Sequence, residues 1–239
     1  MPVFFISDLH LCSWRPEINR IFFEFLRGPA REAQALYILG DLFEYWAGDD
    51  DRDDPFNASV LKALAGFSLS GPALYFMHGN RDFLIGDHSA GACNAHLIAD
   101  PHALDLYGTP TLLMHGDTLC TDDSDYQRFR AEVRSPEWQK RFLAQPLPQR
   151  KEQIESARRA SESEKQLKAP EIMDVNNEAV ETILRKRGYP RLIHGHTHRP
   201  ARHEHSVDGK VCERWVLAAW YQAGSYLRCD PSGCTPVQL

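Results

Sequence analysis

Residues 191–198 read Arg191-Leu192-Ile193-His194-Gly195-His196-Thr197-His198. A short apolar run ends at a glycine turn, and two imidazoles spaced two apart follow it. Four upstream stretches share this construction. Val3-Phe4-Phe5-Ile6 leads to Asp8-Leu9-His10, and Leu36-Tyr37-Ile38-Leu39 leads to Gly40-Asp41. Leu74-Tyr75-Phe76-Met77 leads to Gly79-Asn80-Arg81-Asp82, and Thr111-Leu112-Leu113-Met114 leads to His115-Gly116-Asp117. Runs that are continuously apolar, not alternating, predict strands buried on both faces.

Helical stripes separate these runs. Ile18, Ile21, Phe22, Phe25 and Leu26 predict one helix, stopped by Gly28-Pro29. Val60, Leu61, Leu64 and Phe67 predict a second, and Val180, Ile183 and Leu184 a third, stopped by Gly188. The alternation of strand and helix predicts an α/β sandwich. In such sheets ligands sit beyond the carboxyl ends of strands, where all five polar stretches fall. From about residue 211, short runs such as Trp215-Val216-Leu217-Ala218 and Ser225-Tyr226-Leu227 predict late antiparallel strands.

Residues 122–170 carry no strand signal. Two helical blocks, about 124–143 and 149–168, flank Gln145-Pro146-Leu147-Pro148. Eleven Lys or Arg against nine Asp or Glu make this stretch basic within a chain of net charge −6. We expect one domain over 1–239, with 122–170 inserted as a helical hairpin that serves as a lid. The alternative is a solvated helical pair without a ligand role.

The acidic balance argues against a general nucleic-acid binder. The N-terminus lacks a basic segment and a cleavage site, and no run approaches the ~18 apolar residues of a spanning helix. The expected protein is soluble, or rests on a membrane without crossing it. Its six cysteines form no Cys-x-x-Cys pair and are expected to be reduced thiols; a disulfide framework suits a shorter, secreted chain.

Asp8 and His10, two apart after a strand, can aim the same way. Asp41 can share its carboxylate between two ions, as in two-metal hydrolytic sites with ions about 3.5–4 Å apart. Asn80 offers a carbonyl oxygen, and His115, His196 and His198 offer imidazoles. Singly, Asp8 reads equally as a helix cap, and Asp41 and Asn80 as turn residues. In order, each at a strand end, they read as a metal site. Mixed carboxylate and imidazole suits Mn²⁺, Fe²⁺, Co²⁺ or Zn²⁺. His78 and His194 are expected to support or pack, and the remaining histidines to lie on the surface. The run Asp49-Asp50-Asp51-Arg52-Asp53-Asp54 lacks the ligand pattern of a calcium loop and is expected to be solvated.

The ordered set Asp-x-His, Gly-Asp, Gly-Asn, His, Gly-His-x-His over residues 8–198 resembles the calcineurin-like metallophosphoesterase superfamily. The resemblance implies a four-layer αββα sandwich of two mixed sheets flanked by helices. It implies two divalent ions, with manganese expected: one on Asp8, His10, Asp41 and His198, the other on Asp41, Asn80, His115 and His196. Most members follow Gly-Asn with a histidine, a candidate proton donor. Here Arg81 stands instead, a fixed cation suited to clamping phosphate oxygens.

Within the superfamily, Phe5 to Leu11, Gly40 to Trp46, Gly79 to Leu84 and His115 to Asp123 resemble the UDP-2,3-diacylglucosamine diphosphatase family of lipid A biosynthesis in Gram-negative bacteria. That resemblance implies release of UMP and 2,3-diacylglucosamine 1-phosphate by water attack at the α-phosphorus. It implies catalytic roles for Arg81, Asn80 and His196, and substrate contacts at Asn80, Arg81, Asp123, Ser161, Lys165, Lys168 and His196. Acyl chains would meet lid residues such as Phe129, Val133, Trp138, Phe142, Ile154 and Leu167. The expected location is the cytoplasmic face of the inner membrane, held peripherally, with no nucleic acid and no obligate protein partner. The competing readings are a phosphoesterase for soluble nucleotides and a non-catalytic scaffold on the same fold.

Overall fold

The structure, a computed structural model, describes residues 1–165 and 170–239, with the backbone alone at 162, 164, 165, 170 and 171. The first half alternates strand and helix: β1 (Val3–Ile6), α1 (Pro16–Arg27), β2 (Ala35–Leu39), α2 (Pro55–Leu69), β3 (Ala73–Met77), α3 (Asp87–Ala92) and β4 (Ala95–Ile98). β1, β2, β3 and β4 pair in parallel, as such crossovers require. A second sheet comprises β5 (His102–Leu106), β6 (Thr109–Met114), β7 (Arg191–His194), β8 (Ala201–Val207) and β9 (Lys210–Val216), in the order β5-β6-β7-β9-β8. The last hairpin, β10 (Ser225–Asp230) and β11 (Gly233–Gln238), returns to the first sheet, with β10 antiparallel to β1.

The doubly apolar strands explain the layering. Phe4, Ile6, Ile38 and Phe76 face α1 and α2, where Phe22, Phe25, Val60 and Leu64 cover them. Their alternates Val3, Phe5, Leu39 and Met77 face Leu113 and Ile193 of the second sheet. Leu112, Met114 and Leu192 on its far side pack against Val180 and Leu184 of α7 (Asn177–Lys186). The result is the expected αββα sandwich. β4, β5 and β8 were not anticipated: β4 and β5 are short and only partly buried, and β8 is largely exposed.

The described residues of 122–170 form three helices where two blocks were expected: α4 (Ser124–Val133), α5 (Pro136–Leu143) and α6 (Leu147–Lys165). Pro136 cannot continue a helical ladder, and the Ser135 hydroxyl accepts from Trp138 N at 3.3 Å to start α5. Four of the stretch's cations turn inward to carboxylates, while Arg128, Lys140, Arg141 and Arg159 stay exposed. Arg130 pairs with Asp117 at 2.6 Å, Lys151 with Asp51 at 2.6 Å, Arg158 with Glu44 at 2.6 Å, and Arg150 with Asp50.

The acidic run is only in part the solvated loop that its composition predicts: Asp50 and Asp53 are exposed, but three of its carboxylates are engaged. Asp51 is 1% exposed, Asp54 caps α2 through Phe56 N, and Asp49 accepts from Gly86 N and Ser89 Oγ. Cys229 and Cys234, register partners across β10 and β11, form a disulfide, against the expectation of free thiols; Cys12, Cys93, Cys120 and Cys212 are free and buried. No helix of the described residues is long and apolar enough to cross a membrane.

Candidate metal centre

Seven predicted donors leave the ends of five strands and meet. Past β1 the chain stays bonded to the β2 loop, with Asp8 N donating to Gly40 O at 3.1 Å and His10 N to Asp41 O at 3.0 Å. Gly195 N donates to His115 O at 2.9 Å, joining the β6 and β7 loops. Asp8, His10, Asp41, His196 and His198 all take positive φ, between 50° and 69°. This left-handed region is strained for any residue that carries a Cβ, and such strain recurs at functional sites.

The contacts close into a ring. His198 Nε2 lies 3.3 Å from Asp8 Oδ1 and 3.4 Å from His10 Nε2. His10 Nε2 lies 3.9 Å from Asp41 Oδ2, and the other Asp41 oxygen lies 3.8 Å from His115 Nε2. Asn80 Oδ1 sits 3.0 Å from His115 Nε2 and 2.9 Å from His196 Nδ1. His196 N returns to Asp8 Oδ2 at 2.9 Å. Donor atoms of Asp8, His10 and His198 fall within 4.8 Å of one another, as do those of Asp8, Asp41 and His115.

This donor set fits divalent cations. His115 Nδ1 faces the Leu39 carbonyl at 2.9 Å, so it carries the proton and leaves Nε2 for the centre. Asp8 Oδ1 and His10 Nδ1 are buried without a hydrogen bond. Burial pushes the Asp41 carboxyl up to about 7, partly offset by His115. Burial lowers the His115 imidazole, but the charges of Asp41, Asp117 and Asp8 prevail and raise it to about 9. Burial, with the His115 charge, takes His196 down to about 3. A cluster so rich in acceptors lowers its own energy by holding protons or cations.

Residues to which the sequence reading gave no role of their own hold the ring. The buried Asp82 carboxylate accepts from Leu42 N at 2.7 Å and Gly79 N at 2.9 Å, tying the β2 and β3 loops together. A Cβ at Gly79 would overlap the Asp41 carboxylate, so the two loops approach only because residue 79 has no side chain. Asp117 accepts from Tyr126 Oη at 2.9 Å and Arg130 Nε at 2.6 Å, and the Tyr126 ring stacks on His196 at 5.8 Å. Arg134 donates to Gly79 O at 2.8 Å. These four contacts seat α4 beside the His196 half of the ring. Helical spacing could have flagged 126, 130 and 134 as one face.

Of the predicted substrate contacts, Asn80 and His196 belong to the ring. Arg81 adjoins it: its backbone N donates to Asp41 Oδ1 at 2.8 Å, and its guanidinium lies 3.8 Å from Glu44. Asp123 caps α4 by accepting from Tyr126 N at 3.1 Å, and Ser161 is half-buried on α6. Lys168 and the side chain of Lys165 lie outside the described residues, as does Leu167. Among the predicted acyl contacts, Val133 and Phe142 are buried, Phe142 stacks on Trp138 at 4.6 Å, and Ile154 packs on the core; Phe129 is exposed. His194 is buried between Gly195 O and Arg214, and His78 reaches Ile85 O at 2.7 Å, the supporting roles expected of both.

Residues 1–200 match the model of the calcineurin-like phosphoesterase family. A UDP-2,3-diacylglucosamine hydrolase of Aromatoleum aromaticum is 57% identical over 239 residues, covering 100% of this chain and 97% of that one. Proteins of the same name from Cellvibrio japonicus and Hahella chejuensis are 49% and 47% identical, covering 98% and 100% of this chain and 97% and 98% of theirs. With the αββα layers and the strand-end ring of donors, these matches establish that the chain belongs to the calcineurin-like phosphoesterase family.

Proposed function

We propose that this chain hydrolyses the diphosphate of UDP-2,3-diacylglucosamine, a step of lipid A biosynthesis, releasing UMP and 2,3-diacylglucosamine 1-phosphate. The observation that carries the reading is the Asp41 carboxylate, with one oxygen toward His10 and the other toward His115. That is the arrangement by which one carboxylate serves two ions. The full-length relatives of that name supply the substrate.

Asp8, His10, Asp41 and His198 would hold one ion, and Asp41, Asn80, His115 and His196 the other, with manganese the ion that we assign. Bound there, the ions supply Lewis acidity, acidifying water and neutralising charge on the diphosphate. Arg81 clamps an oxygen of the α-phosphate, with Asn80 and His196 orienting it. The leaving group is a phosphate monoester, so a proton donor at position 81 is dispensable. Asp123, Ser161, Lys165 and Lys168 contact the rest of the substrate, and residues 122–170 act as the lid. Acyl chains bring the enzyme peripherally to the cytoplasmic face of the inner membrane, where the exposed Phe129 and Leu143 of the insertion meet lipid.

The test is incubation with UDP-2,3-diacylglucosamine, with and without Mn²⁺, in ¹⁸O-labelled water. UMP should appear only with metal and should carry the label. Label in the sugar phosphate would move the attack to the other phosphorus, and no UMP under any metal would remove the proposal.

A further inference from the structure

Two large aromatic side chains stand in solvent on loops that border the His10–His198 half of the ring. Trp14 is 59% exposed and Tyr221 is 55% exposed. Of the five tryptophans, Trp14 alone is exposed; the others are buried or half-buried. Exposed rings beside a site offer flat apolar faces to a bound ligand.

The loops that bear these two side chains are tied together. Arg15 donates to Leu9 O at 3.2 Å, His10 O at 3.1 Å, Trp220 O at 2.6 Å and Tyr221 O at 3.3 Å. One guanidinium thus staples the loop bearing Trp14 to the loop bearing Tyr221, and it lies 5.3 Å over the Tyr221 ring. Tyr221 runs parallel to the His10 ring at 5.8 Å and meets His198 edge-on at 5.2 Å. Trp14 has the Arg158 guanidinium 6.0 Å from its ring. Tyr221 therefore borders the ring of donors directly, and Trp14 stands on the loop that Arg15 ties to it.

α4 is seated on the opposite half, where Tyr126 stacks on His196. A molecule whose diphosphate lies across the donors must send its two ends toward these two borders. We infer that Trp14 and Tyr221 form the subsite for the pyrimidine ring of the nucleotide half, leaving the acylated half to the α4 side. The inference rests on the function proposed above. A flat heteroaromatic ring matches a rim of aromatic faces and edges, which offers little to a flexible acyl chain.

The test measures direct binding to the full-length, Mn²⁺-loaded protein, using UMP and inorganic phosphate as separate probes. Trp14→Ala should weaken UMP about tenfold, and Trp14→Phe should restore most of the loss, because stacking on an aromatic ring is what the site contributes. Inorganic phosphate should bind both variants as it binds the parent. Equal weakening of UMP and phosphate would overturn the inference, since Trp14 would then act on the donors. So would unchanged UMP binding, whether or not Trp14→Ala loses affinity for anionic phospholipid vesicles; vesicle loss would make the rim a lipid contact. Binding is read without turnover. A chain that binds UMP through Trp14 but releases none from UDP-2,3-diacylglucosamine would lose the proposed substrate and keep the subsite.

Discussion

Arg158, midway along α6, donates a 2.6 Å hydrogen bond to Glu44, three residues beyond Asp41. Glu44 also lies 3.7 Å from His10 Nδ1 and 3.8 Å from the Arg81 guanidinium. One carboxylate thus joins the insertion to the donors, and a charged hydrogen bond of this kind is worth about 1.5–3 kcal/mol. Arg158→Ala should raise KM for the acylated substrate about tenfold with metal content unchanged. Steady-state kinetics beside metal analysis reads both. Metal loss in parallel would make the pair a support for the ions instead.

Arg81 holds Asp41 through its backbone N, which survives any substitution except proline. Arg81→Ala should therefore keep its metal while kcat falls about 100-fold, the scale of losing a donor to developing charge. Metal lost to the same extent as activity would show the side chain to be structural.

Asp82 lies behind the donors, accepting from Asp41 N at 3.3 Å, and its removal strands the Leu42 and Gly79 amides in a buried setting. Each stranded donor costs about 1–3 kcal/mol. Asp82→Ala should lower Tm by at least about 4 °C and reduce metal uptake. A thermal melt with the parent's Tm would refute the anchoring role.

Protons and metal compete at His115. Its pKa of about 9 in the metal-free protein means that Nε2 still carries a proton at neutral pH, and Asp41, near 7, is partly protonated there too. Metal uptake must expel these protons, so affinity should fall as pH drops below about 9, by up to tenfold per unit for each proton displaced. Titration calorimetry of the metal-free protein in buffers of different ionisation enthalpy at pH 7.5 should show net proton release. A heat independent of buffer would contradict it.

Much of this site was legible before folding, and the reason is local. β1, β2, β3, β6 and β7 are apolar over most of their length because both faces are covered, and each hands the chain to a short turn carrying a donor. The parts that were not legible depend on distant partners. Asp51 read as solvated because its partner Lys151 lies 100 residues away in sequence. β8, with the polar sequence Ala201 to Val207, is a strand because it pairs with β9 along the sheet's edge, where no second layer demands apolar alternation. Tyr126 and Arg130 gain a role only when α4 is laid on the β6 loop, where both bond to Asp117.

Five of the seven donors sit where the backbone favours glycine. Each such residue carries a penalty of order 1–3 kcal/mol. Chemistry and endurance consequently pull apart at these positions. His198 is the most accessible case, with a side chain 26% exposed and φ of 56°. Metal-stripped His198→Gly should be inert yet outlast its stripped parent in a heating ramp. Random mutagenesis selected for heat tolerance alone would then drift toward sturdier proteins emptied of their chemistry.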